Sequence, residues 1–176
     1  TIRSEKTELD ESEWKQILKG IHSALDQLIS FRLQEGEAML KDLIERIRSI
    51  LSLLDEIEPF EKERITKLKD RLKKNLQEWG QNEDYDENRF EQELIFYLEK
   101  LDISEEKVRL SNHCNYFEEI LQLDEPVGKK LGFISQEIGR EINTLGSKAN
   151  NSEIQRIVVS MKDELEKIKE QLANIL

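Results

Sequence analysis

From Trp14 to Ile175 the apolar residues of this chain recur at steps of three and four, the spacing that lines one face of an α-helix. No stretch alternates at period two, so strands are not expected. Seven glycines and two prolines in 176 residues supply too few turn signals for a sandwich or a barrel. The expected fold is all-α with about six helices: an extended helical hairpin plus a C-terminal helical bundle whose last helix resembles a coiled coil.

The punctuation divides the periodic stretches. Asp10 and Glu13 have capping-box spacing and open a helix of roughly residues 11–31 through Trp14, Ile17, Ile21, Leu25 and Leu28. A second stretch carries Leu43, Ile47, Ile50, Leu54 and Ile57 until Pro59, which ends or kinks it. Ile65, Leu68, Leu72, Leu76 and Trp79 continue the period, residues 80–87 read as a polar tip or hinge, and Phe90, Leu94, Tyr97, Leu98 and Leu101 bring the chain back. Asp102 and Glu105 repeat the capping-box spacing, and Pro126 suits the first turn of the next helix. Residues 146–151 look like a polar break. The last helix places Ile154, Val158, Met161, Leu165, Ile168, Leu172 and Ile175 on one heptad seam, which is expected to mediate self-association. The expected domains are 1–31, an N-terminal helix, 32–101, the hairpin, and 102–176, a C-terminal helical domain.

Charge narrows the partners. With 27 basic against 38 acidic residues the net charge is −11, so most of the chain repels a polyanion. Residues 126–150 are the exception, with Lys129, Lys130, Arg140 and Lys148 against Glu137 and Glu141. Phosphate contact is expected there, while Lys67 and Lys73 on the hairpin should matter little. No apolar run approaches the ~20 residues that cross a bilayer, and the single cysteine, Cys114, excludes an intrachain disulfide. A cytoplasmic protein without a membrane partner is expected.

No phosphate-binding loop, dinucleotide motif, zinc spacing or Ser/His/Asp arrangement is present. The pattern that carries chemistry is Glu137 with Glu141, four residues apart and so on one helix face, where oxygen ligands can hold Mg²⁺ or Mn²⁺. Arg140 beside them suits a phosphate. His113 is one of two histidines and a candidate for proton transfer. The expected catalytic set is His113, Glu137, Arg140 and Glu141, with Glu93 as a further metal ligand. The expected phosphate contacts are Lys129, Lys130, Arg140, Asn143, Ser147 and Lys148.

The string PVGKKLGFISQEIGREINTLGSKANNSEI from Pro126 to Ile154 closely resembles the C-terminal signature of the YicC/YloC-like family. The lead-in from Asp102 to Glu106, Arg109 to His113 and Phe117 is similar to it as well, as is the closing EQLANIL. The resemblance implies a bacterial, metal-dependent endoribonuclease that assembles as a homo-oligomer, a hexamer in the full-length protein, with an N-terminal domain upstream. Gly132 and Gly139 stand where that family usually has Asp and Asn. The alternative is a non-catalytic helical adaptor that associates with RNA or drives oligomerisation.

Overall fold

The apolar periodicity becomes six α-helices in the structure, a computed structural model that describes residues 10–79 and 87–175. They are α1 Glu11–Asp55, α2 Glu58–Trp79, α3 Glu87–Leu101, α4 Ser104–Leu121, α5 Gly128–Ala149 and α6 Ser152–Ile175. Among the described residues there is no strand, so the all-α expectation holds. Residues 80–86, which include nearly all of the expected tip, lie outside the described residues. So do the side chains of Leu72, Lys73, Leu76, Trp79, Phe90, Glu93, Leu94 and Ile175.

The chain divides into two units, Thr1–Lys41 and Asp42–Leu176. In the first, α1 presents Trp14, Ile17, Ile21, Leu25 and Leu28 with 45–53% of each residue exposed. The helix end expected near residue 31 is absent, because α1 continues through Gly36. A helical glycine costs roughly 1 kcal/mol relative to alanine, too little to stop a helix whose neighbours all propagate it.

In the second unit the same periodicity is covered. Leu43, Ile47, Ile50 and Leu54 on α1 are buried. Arg46 there donates from Nη1 to Glu164 of α6 at 3.1 Å, and Arg48 from Nε to Glu118 of α4 at 2.9 Å. α1 ends two residues before α2, whose first turn holds Pro59, as its missing donor allows.

Helix α5 packs against both α4 and α6. Its central stripe, Leu131, Ile134, Ile138, Ile142 and Leu145, is buried, and sealing each such side chain from water contributes about 2 kcal/mol. On one flank of that stripe lie Gly139 and Gly146, facing α6. A β-carbon on Gly146 would stand 3.0 Å from Val158 Cγ1, and one on Gly139 3.1 Å from Leu165 Cδ2. Side chains there would push α6 away. On the opposite flank lie Glu141 and Lys148, facing α4.

The seam of α6 is filled from within the chain. Ile154, Val158, Met161, Leu165, Ile168 and Leu172 are each at most 3% exposed. The expectation that this seam joins two copies is therefore overturned: a heptad stripe specifies an apolar face, and α5 meets that face first.

The joints are also shorter than the sequence implies. Residues 146–149 are helical, and only Asn150 and Asn151 separate α5 from α6. Asn150 takes the left-handed conformation (φ 42°, ψ 41°), which asparagine tolerates better than most residues. Asn151 Oδ1 then accepts the backbone N–H groups of Glu153 (2.9 Å) and Ile154 (3.1 Å), capping α6. Pro126 sits two residues ahead of α5 rather than in its first turn. At α4, Asp102 Oδ1 accepts the Ser104 N–H at 2.9 Å, while Glu105 turns to Arg109 instead of completing a capping box.

Two measurements follow from this packing. Gly132 faces open space inside α5, so Gly132→Ala should raise stability by about 0.5–1 kcal/mol, whereas Gly146→Ala should lower it because the stiff Val158 is in the way. Thermal unfolding of the two variants should shift in opposite directions. The Ser104 hydrogen bonds hold the Asp102 carboxyl below its ordinary range. Its contribution is present above the unfolded carboxylate value and is lost as pH falls through the lower folded value. Asp102→Ala should cost about 1 kcal/mol at neutral pH in urea unfolding, and the difference from wild type should vanish in acid.

Candidate functional site

The short connection between α4 and α5 makes them antiparallel, and their facing flanks carry a row of charges. At one end Lys130 Nζ lies 5.4 Å from the centre of the Tyr116 ring, within cation–π range. Farther along, Arg109 Nε donates to Glu141 Oε2 at 3.0 Å, while its Nη groups reach Glu105 and, at 3.3 Å, Glu106. At the other end Lys148 Nζ donates to Glu106 Oε1 at 2.8 Å. This register places His113 level with Glu137, between the Tyr116–Lys130 contact and the Arg109 fork.

Burial differs sharply along the row. The Glu106 and Glu141 side chains are 3% and 7% exposed, whereas Arg109 and Lys148 keep about a third of their surface in solvent. A carboxylate removed from water needs a charged partner, and each of these has one. The hydrogen bond to Glu141 raises the Arg109 pKa further, so that cation persists at any working pH. Glu106 Oε2 is the one carboxylate oxygen among the described residues that is buried with no hydrogen-bond partner.

The residues expected from sequence are distributed unevenly over this face. Lys130, Glu137, Arg140, Glu141, Thr144 and Lys148 share it, because steps of three, four and seven return to one side of a helix. Glu137 and Arg140 are exposed and form no ion pair among the described residues. His113 is half-buried and likewise has no hydrogen bond there. Lys129, Asn143 and Ser147 lie round the side of α5, exposed, with the Ser147 hydroxyl donating to the Thr144 carbonyl at 2.9 Å. The Glu93 side chain is outside the described residues. Glu137 and Glu141 share a helix face but not an environment, one solvated and the other sealed against Arg109. Among the described residues no group of three or more His, Cys, Asp or Glu side chains converges on one point. Cys114 is fully buried and its thiol is pushed up to about 12 by desolvation, which removes it as a nucleophile.

Three residues of the site were not singled out for a role in the sequence: Glu106, Arg109 and Arg64. Arg64, on α2, is 7% exposed. Its Nη1 donates to the Ala149 carbonyl at 2.6 Å and its Nη2 to the Leu101 carbonyl at 2.6 Å, so one guanidinium caps the C-termini of α5 and α3. Both helix ends carry orphan carbonyls and partial negative charge. The ionic row thus ends on a helix terminus that Arg64 holds in place. The glutamates and Arg109 had a local signal, the spacing of Glu105, Glu106 and Arg109 on one helix, but their partners on α5 are found only once the two helices are paired.

Comparison with known proteins gives a consistent match. A family profile described as Endoribonuclease YicC-like, C-terminal, covers residues 57–176. Over 172 residues, 97% of this chain, the sequence is 33% identical to the probable endoribonuclease YicC of Clostridioides difficile. Over 174 residues it is 30% identical to the probable endoribonuclease YicC of Haemophilus influenzae. The chain spans 59% and 60% of the lengths of these two relatives.

The ion row makes a stability prediction. Lys148→Met leaves Glu106 buried with only its longer bond to Arg109 and should cost about 2 kcal/mol, below the value for a fully buried pair because Lys148 is partly solvated. Adding Glu106→Gln should recover much of that loss in denaturant unfolding, since the uncompensated charge is then gone. If the two changes are simply additive, the pair is not coupled.

Proposed function

The chain belongs to the YicC-like endoribonuclease family, and on that premise we propose that it acts in cleaving RNA phosphodiester bonds, with the α4–α5 face meeting the RNA backbone. The observation that carries this reading is the gathering of Lys130, Arg140 and Lys148, with Glu137 and Glu141, on one face of α5 in a chain whose net charge is −11. A polyanion approaches such a chain only where folding concentrates its cations.

In this reading the exposed Arg140 binds a phosphate through its planar fork. Lys130 and Lys148, with Lys129 at the margin, neutralise neighbouring phosphates, and Asn143 and Ser147 offer them hydrogen bonds. His113, level with Glu137, is placed to move a proton to or from a ribose or leaving-group oxygen. The metal expected from the sequence, Mg²⁺ or Mn²⁺, takes oxygen ligands. Glu137 is free to offer them, and Glu141 offers the oxygen that Arg109 leaves unused. An ion held there would supply charge neutralisation and an activated water. A homo-oligomer would multiply the cations that one copy presents, and light scattering gives the mass that checks it.

The test is cleavage of a labelled RNA by this chain with and without Mg²⁺ or Mn²⁺. Arg140→Ala and Glu137→Ala should each lower the rate by about a hundredfold with unchanged melting temperatures, because both side chains are exposed and unpaired. Arg109→Met should lower rate and stability together. Cleavage that survives chelation removes the metal role. RNA binding without cleavage under every condition favours the adaptor.

A further inference from the structure

A second cationic feature lies beyond the end of the α4–α5 row. Arg64, Lys67, Leu68 and Arg71 of α2, with Leu101 and the Asn150–Asn151 joint, line a pocket of about 220 Å³. No acidic side chain lines it. Arg64 is buried with its Nε lacking any hydrogen-bond partner, and among the described residues no carboxylate comes within ion-pair distance of it. The neighbouring carbonyls of Ala149 and Leu101 are already occupied by Arg64. The Asn151 carbonyl oxygen is committed to the α6 cap, which leaves its amide group to donate. Lys67 is exposed and rests on Glu63 at 2.6 Å, an i,i+4 surface pair that is readily exchanged for another anion. The lining therefore offers three cations and two amides and no carboxylate of its own, and its deepest cation keeps one buried donor, Nε, without a partner, while Glu61 and Asp102 act on it from beyond ion-pair distance. Desolvation lowers the Arg64 pKa, and the charges of Glu61 and Asp102 offset part of that effect.

A neighbouring pocket lined by Lys100, Leu101, Gly146, Ser147, Lys148, Asn150 and Gln155 shares Leu101 and Asn150 with the first. Together they form a track of donors from Lys148, at the end of the α4–α5 row, to Lys67 and Arg71.

We propose that the Arg64–Lys67–Arg71–Asn150–Asn151 pocket is a phosphate subsite that holds a backbone phosphodiester of RNA running off the α4–α5 face. This rests on the reading of the chain as RNA-cleaving, and it reverses the expectation that Lys67 matters little. Phosphate recognition here is independent of base identity, so the subsite sets register and grip rather than sequence preference. Arg64 is the positioning residue of the pocket floor, and Lys67, Arg71 and the two asparagines make the contacts.

The experiment measures binding of a fluorescent, cleavage-resistant 2′-O-methyl oligoribonucleotide by anisotropy across a salt series. The side-chain amide resonances of Asn150 and Asn151 are followed with the same RNA and with inorganic phosphate. Lys67→Gln/Arg71→Gln should weaken RNA binding about tenfold for all sequences and reduce the salt slope by about 1.4, the loss of two single-strand phosphate contacts. Lys167→Gln/Lys169→Gln, on the far part of α6, should bind as wild type. Affinity of the Lys67/Arg71 variant within about twofold of wild type overturns the subsite, and continued RNA cleavage then leaves the nuclease reading intact. If wild type does not bind RNA yet phosphate moves the asparagine amides, RNA is excluded as the source and the nuclease reading falls with it, while the oxyanion pocket stands. No amide shift with either ligand overturns the pocket whatever the affinities show.

Discussion

The Arg64 guanidinium is the interaction on which the arrangement of the charged helices depends. It donates to the terminal carbonyls of α3 and α5 at 2.6 Å each and so ties α2 to the two helix ends beside it. Helix ends concentrate unsatisfied acceptors and negative dipole, and a buried cation answers both. Fixing the end of α5 also fixes Lys148, its penultimate residue, and hence the pair it forms with buried Glu106. From there the register of α4 on α5 runs back to Lys130 and Tyr116.

Helix α5 serves two neighbours with two different chemistries. Toward α6 it offers Gly139 and Gly146, seven residues apart, which permit a close approach over Leu165 and Val158. Toward α4 it offers Glu141 and Lys148, which require charged partners once desolvated. Arg109 and Lys148 supply those partners to Glu141 and Glu106 on the flank turned to α4. The exposed members of the same helix, Glu137 and Arg140, remain available to a ligand because no neighbour reaches them. A paired ionic network and an exposed, unpaired face therefore share one helix, separated by a single turn.

Much of this was legible in the sequence. Six helices, the break near Pro59 and the buried stripe from Leu131 to Leu145 follow from spacing and punctuation. Cap chemistry was partly legible: Asp102 accepts the first backbone N–H of α4 from the position before the N-cap, Ile103, but Glu105 is drawn away by Arg109. The helix boundary near residue 31 was misplaced because the apolar pattern weakens around Gly36, and one weak residue does not stop a cooperative helix. The signature stretch pointed to α5, and so to Glu141, Arg140 and Lys148. Glu106 and Arg109 lie in the lead-in to that signature without a role being marked for them, and Arg64 carries no mark at all, since isolated charges on charged helices look alike until their neighbours are known.

By itself the sequence determined which residues are helical and which face of each helix is apolar, because both are set by interactions within a few residues along the chain. It could not determine what covers a face. The stripe at Trp14–Leu28 and the seam at Ile154–Leu172 have similar periodicity, yet the first is half exposed and the second sealed within its own unit. Only tertiary structure decided that, and only tertiary structure separated Glu137 from Glu141. Helical spacing fixes direction around an axis, whereas burial, charge pairing and pocket formation depend on the distance to another helix, which no local pattern encodes.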